Sequence, residues 1–75
     1  MQVTLINDSP FGKQVRVLDH NNSDAEIFSD YIGDHSQATV ECRKNDAGYG
    51  YLVISLNTSP PVSYQFLKDD EPINL

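Results

Sequence analysis

The run Tyr49-Gly50-Tyr51-Leu52-Val53-Ile54-Ser55-Leu56 constrains this chain more than any other stretch of it. It is uncharged, rich in aromatic and β-branched side chains, and bracketed by Asn45-Asp46-Ala47-Gly48 and Asn57-Thr58-Ser59-Pro60-Pro61. A segment of that composition between turn-formers reads as a strand. Alternation sets Leu52, Ile54 and Leu56 on one face and Tyr49, Tyr51, Val53 and Ser55 on the other. The aliphatic face requires a core, and the tyrosine face is apolar enough to want cover. Left on a sheet edge, so flat and uncharged a run would invite pairing with other chains, so a central place in a sheet is expected. Gly50 inside it marks a bulge or a close backbone approach.

The flanking sequence repeats the same period. Val3 to Asn7 alternates, and Asp8-Ser9-Pro10-Phe11-Gly12 supplies a turn. From Lys13 to Asp19, Val15 and Val17 oppose Gln14, Arg16 and Leu18, and the polar cluster His20-Asn21-Asn22-Ser23-Asp24 closes the unit. Ala25 to Ile32 fits two periods. With period 2, Ala25, Ile27, Ser29 and Tyr31 oppose Glu26, Phe28, Asp30 and Ile32. With period 3.6, Ile27, Phe28, Tyr31 and Ile32 form one face of a short helix capped by Ser23 or Asp24. About two helical turns are marginal alone, so strand is preferred. After the turn at Gly33-Asp34-His35-Ser36, Gln37 to Arg43 points Ala38, Val40 and Cys42 inward. Beyond Pro60 and Pro61, which force an extended connection, Val62, Tyr64 and Phe66 form the inward side of a sixth strand. Lys68 to Pro72 is a charged turn, and Ile73 to Leu75 a short closing strand. Seven short strands with turn signals about every 8–12 residues predict an antiparallel β-sandwich or small Greek-key barrel. Residues 1–75 then form one domain without repeats or linkers.

At 75 residues a domain buries only roughly 60% of the surface its unfolded chain exposes, which leaves little room for an enclosed catalytic cavity. Eleven acidic against five basic residues give a net charge of −6. That balance argues against direct contact with nucleic acid or anionic membranes and suits a basic protein surface, where opposite fields speed encounter. It also keeps a small β-protein soluble. No basic region followed by an apolar stretch opens the sequence, and no apolar run approaches the roughly 20 residues that cross a bilayer. A cytoplasmic location is the expectation. The single Cys42 forms no internal disulfide.

No motif points to catalysis, a metal or a cofactor, and none is assigned. Cys42 shares its face with Ala38 and Val40, as a small buried hydrophobe does, and His20 and His35 lie in turns. Asp19 to Glu26 places oxygen-bearing side chains at alternate positions, like the start of a calcium loop. It lacks the glycine at position six and the glutamate at position twelve, where Asp24 and Asp30 stand. Asn7, Asn21 and Asn57 begin Asn-x-Ser/Thr triplets, which polar turns produce by chance. The aromatics say more. Tyr31, Tyr49, Tyr51 and Tyr64, with Asp30 and Asp34, make the candidate contact surface, since tyrosine beside carboxylate offers rigid area, hydrogen bonds and charge to a basic partner. Asp69, Asp70 and Glu71 form a solvated turn first and a recognition feature second. The expected function is that of a small, non-enzymatic acidic binding protein. It would act as an inhibitor or modulator, including one that imitates nucleic-acid charge as small phage-encoded inhibitors do. The alternatives are a homodimeric module of a larger assembly, or a calcium- or ligand-binding β domain.

Overall fold

The computed structural model describes all residues from Met1 to Leu75. Seven strands follow one another: β1 (Gln2–Asn7), β2 (Lys13–Asp19), β3 (Ala25–Ile32), β4 (Ser36–Glu41), β5 (Gly50–Leu56), β6 (Val62–Leu67) and β7 (Glu71–Asn74). A single 3₁₀ turn, His20–Asn22, stands between β2 and β3. The uncharged run forms β5, held between β2 and β6 in a four-stranded sheet of order β3-β2-β5-β6. The second sheet is β4-β1-β7. Every pairing is antiparallel except β1 with β7, which run parallel because the chain crosses from β6 to the other sheet before laying down β7. The molecule is nearly all-β and has the form of a small sandwich, with no helix long and apolar enough to cross a membrane.

Period-two burial explains most of the core. Val3 and Leu5 from β1, Val40 from β4 and Ile73 from β7 meet Val15, Val17, Leu52 and Ile54 of the opposite sheet, with Ile32, Cys42 and Leu67 completing the cluster. Only 14 of the 75 residues are buried, so each one matters. Fully burying a Leu or Val contributes about 1.5–3 kcal/mol. Gly50 is the close approach its sequence context suggested, while the bulge beside it is carried by the partner strand. The β5–β6 register shifts beside it, and a Cβ there would stand 3.1 Å from Met1 Sδ and 3.3 Å from both Cys42 Sγ and Leu67 Cβ.

Two segments depart from simple alternation. Residues 25–32 are a strand, paired to β2 along their length, but Val17 pairs with Phe28 and Leu18 with Glu26. Ile27 is the extra residue of a bulge, so both Ile27 and Phe28 lean on the core instead of opposing each other. That consecutive apolar pair produced the helical alternative in the sequence. In β6 the expected inward set is corrected. Tyr64 packs against the core, but Val62 is 52% and Phe66 69% exposed, and Leu67 takes the inward place. The cause is a second bulge. Leu52 pairs with Tyr64 and Gly50 with Leu67, so Gln65 and Phe66 together stand opposite Tyr51, and Phe66 adopts φ 58°. The charged turn is also shorter than expected, because Glu71 and Pro72 already belong to β7.

Candidate protein-binding surface

The outer face of the four-stranded sheet points away from the core. Register puts Leu18 beside Val53 and Arg16 beside Ser55 on that face, and alternation carries Tyr51 and Tyr49 onto it. At the end where β5 begins, Tyr49, Tyr51, His20 and Phe66 come together. His20 stacks on Tyr51 with ring centroids 4.2 Å apart and also meets Asp24 at 3.0 Å. Phe66 meets Tyr49 edge to face, with centroids 5.7 Å apart and planes at 84°. This T-shaped geometry is a favourable one for two quadrupolar rings. The bulge lifts Phe66 from the inward side to this exposed position, in a left-handed backbone that bulky residues rarely adopt.

The Lys68–Glu71 turn lies at the same end. The Asp69 carboxylate accepts from the Gln2 N–H at 2.8 Å, and the Asp70 N–H donates to the Gln2 carbonyl at 2.8 Å, so the turn is pinned to the first residues of β1. The Gln2 N–H, helped by Lys44 and the N-terminal ammonium, holds the Asp69 carboxyl below its ordinary range. Asp70 is exposed with φ 62°, a conformation that aspartate tolerates. Glu71 is half-buried at the start of β7, opposite Val3.

Tyr31, Asp30 and Asp34 stand at the other end of the sandwich. Tyr31 pairs with Gln14 on the outer face, 62% exposed, and its hydroxyl end lies over Gly12, where any side chain would collide with it. Five residues of β2, Val15 to Asp19, lie between Gln14 and His20, six steps along the chain or roughly 20 Å of strand. Asp30 accepts from the Tyr31 N–H at 2.7 Å, and Asp34 is exposed in the β3–β4 turn. Nearby, Phe11 is 76% exposed and His35 meets Asp8 at 3.3 Å. The candidate residues therefore divide in two: Tyr49, Tyr51, Asp69, Asp70 and Glu71 at one end, Tyr31, Asp30 and Asp34 at the other. Tyr64 belongs to neither, because it lies opposite Leu52 on the inward side.

Sequence reasoning missed Phe66, Phe11 and the residue that shapes the second end, Asn7. Asn7 is fully buried, and its amide donates to the carbonyls of Phe11, Ile32 and Gly33 while its oxygen accepts from the Ser9 N–H and hydroxyl. Its place as the third inward residue of β1 carried the signal, since a polar side chain there must find partners.

The polar turn after β2 is organised by backbone contacts. The buried Asp19 carboxylate accepts from the N–H groups of Asn21 at 3.2 Å and Arg43 at 2.8 Å, capping the 3₁₀ turn. The Asn21 amide donates to the carbonyls of Arg43 and Tyr49, tying the turn to the tyrosine end. No three His, Cys, Asp or Glu side chains converge as metal ligands would, and the surface has no ligand-sized pocket. Cys42 is buried, and burial, reinforced by Asp19, pushes its thiol pKa up, away from a nucleophilic thiolate. Comparison with protein-family models, with curated proteins and with solved structures finds no match for this chain.

Proposed function

We propose that this chain is a non-enzymatic binding protein that occupies a basic surface on a protein partner. Phe66 and Tyr49 act as its contact anchors, with Tyr51 beside them and Asp69 and Asp70 at the rim. Phe66 is the observation that carries this reading. A phenylalanine in left-handed backbone costs of order 1–3 kcal/mol, and such outliers gather at sites where they serve a purpose. Here the strain produces an exposed aromatic braced edge-on by Tyr49, a rigid anchor of the kind that dominates interface energetics. The −6 net charge then favours a cationic partner and rapid encounter with it. An inhibitor that takes the place of a nucleic acid on a basic target is the most specific form of this proposal.

Immobilised protein exposed to native-host extract tests it, with each retained protein then titrated against purified variants. Phe66→Ala should weaken binding at least about 30-fold, the scale of a hot-spot residue. Asp70→Asn should act mainly through the association rate and reduce the salt sensitivity. Binding that is indifferent to both substitutions and to ionic strength would place the contact elsewhere.

A further inference from the structure

Besides Phe66, the aromatics left most exposed are Phe11, at 76%, and Tyr31, at 62%, both at the opposite end of the sandwich. The two turns at that end are stitched together. The buried Asn7 amide donates to the carbonyls of Phe11 at 2.8 Å, Ile32 at 3.1 Å and Gly33 at 3.0 Å. The His35 N–H donates to the Ser9 carbonyl at 3.2 Å, and the His35 ring meets Asp8 at 3.3 Å. Tyr31 lies with its hydroxyl end over Gly12, in space that a Cβ would fill. Phe11 is the preceding residue, about 3.8 Å of backbone away. The two aromatics therefore rise from fixed, adjoining points, and a ligand does not first have to order the turns that carry them.

The free charges beside them have one sign. Asp8 and Asp34 are exposed on the same two turns. Lys13 pairs with the buried Ile32, so alternation puts it on the other face of the sheet from Tyr31 and Gln14. Arg16 shares the outer face, but it is held at 3.3 Å by Glu26, which stands opposite Leu18, away from this end. We propose that this end is a second binding site, which takes an arginine side chain from a protein segment. A guanidinium plane stacks on aromatic faces while its N–H fork reaches carboxylates, and both are offered together here. An anionic ligand would meet Asp8 and Asp34 with like charge, and an apolar one would desolvate them without a partner. This site goes beyond the Phe66 reading and does not rest on it. With both ends engaged, a partner presenting cations at each gains affinity through effective concentration.

The test is a titration of isotope-labelled protein, followed by amide chemical shifts, with the peptide acetyl-Gly-Arg-Gly-Arg-Gly-amide and its lysine counterpart. Salt at about 0.15 M screens diffuse attraction beyond about 8 Å. The arginine peptide should move the Gly12, Tyr31 and Asp34 amides along saturating curves, and bind at least about 5-fold more tightly than the lysine peptide. Phe11→Ser/Tyr31→Ser should weaken it at least about 10-fold, and Phe66→Ala should leave it unchanged. Both substituted side chains are exposed, so circular dichroism should show the double variant folded. Asp34→Asn, in an exposed turn, keeps the shape and should still cost about 2–3-fold. Equal affinity for the two peptides overturns the proposal, as do shifts centred on Tyr49 and Phe66 or the absence of saturation up to millimolar peptide. Phe66-dependent capture of a host protein is a separate measurement, so either reading can fail without the other.

Discussion

Asn7 shows how much of a thin sandwich can rest on one side chain. Its amide holds three carbonyls, from the β1–β2 turn, the end of β3 and the turn after it, and its oxygen orders Ser9, so the segments that present Phe11 and Tyr31 are joined through it. Removing the amide leaves buried acceptors unpaired, at about 1–3 kcal/mol for each group not rescued by water. Asn7→Ala should therefore cost about 3 kcal/mol in urea unfolding, a large share of the total for a domain of this size. Asn7→Asp should be at least as damaging near neutrality despite its matching shape, since it turns an acceptor toward three carbonyls, and it should recover part of the loss on acidification. If Asn7→Ala unfolds at the wild-type midpoint, the hub has no such role. Asp69 gives a second prediction at this scale. Its pKa is depressed in the fold, so its contribution is present above the unfolded carboxylate pKa and is lost as pH falls through the folded value. Asp69→Asn should flatten the acid limb of the stability profile and leave the neutral-to-alkaline part nearly parallel to wild type.

Among the elements, β6 is where strain and exposure coincide, and the two can be separated by substitution. Phe66→Ala and Phe66→Gly both remove the ring and its contact with Tyr49. They differ in the left-handed backbone, which costs alanine about 1 kcal/mol more than glycine. Phe66→Gly should accordingly be the more stable of the pair, a reversal of the usual ranking within strands, and both should lose partner binding alike. Equal denaturation midpoints would mean that the bulge relaxes once the ring is gone. The same strand marks the limit of what the sequence disclosed. The run that became β5 was legible because its composition, alternation and bracketing turns agree, and its Gly50 marked a close approach in the core. On the partner strand the bulged residue is a phenylalanine, which gives no local sign of left-handed backbone, so strict alternation sent Phe66 inward. Tyr49 and Tyr51 could be placed together because they share a face of one strand. The distance of Tyr31 from them, and the burial of Tyr64, depend on pairing between strands, which periodicity within a strand does not contain.

For the whole molecule, charge acts on folding and on binding with opposite signs. Eleven carboxylates face five basic side chains, and the ion pairs that need no protonated histidine are Met1 ammonium to Glu41 at 3.4 Å and Arg16 to Glu26 at 3.3 Å. The second is solvent-exposed on both sides and contributes little. Repulsion among the remaining carboxylates therefore outweighs these two attractions. The longest dimension of the molecule is 38 Å. The screening length falls from about 30 Å at 0.01 M salt to about 8 Å at physiological strength, so added salt should silence repulsion between the two ends while leaving the short pairs partly intact. The melting temperature should rise by about 2–5 °C over that range, equivalent to a gain of up to about 1 kcal/mol for a domain of this length. Association with a basic partner should weaken over the same range, because there the screened interaction is attractive. Calorimetry and binding measured side by side at matched ionic strengths check both signs at once. A melting temperature that falls with salt would mean that local pairs, not the net field, govern the electrostatics of this fold.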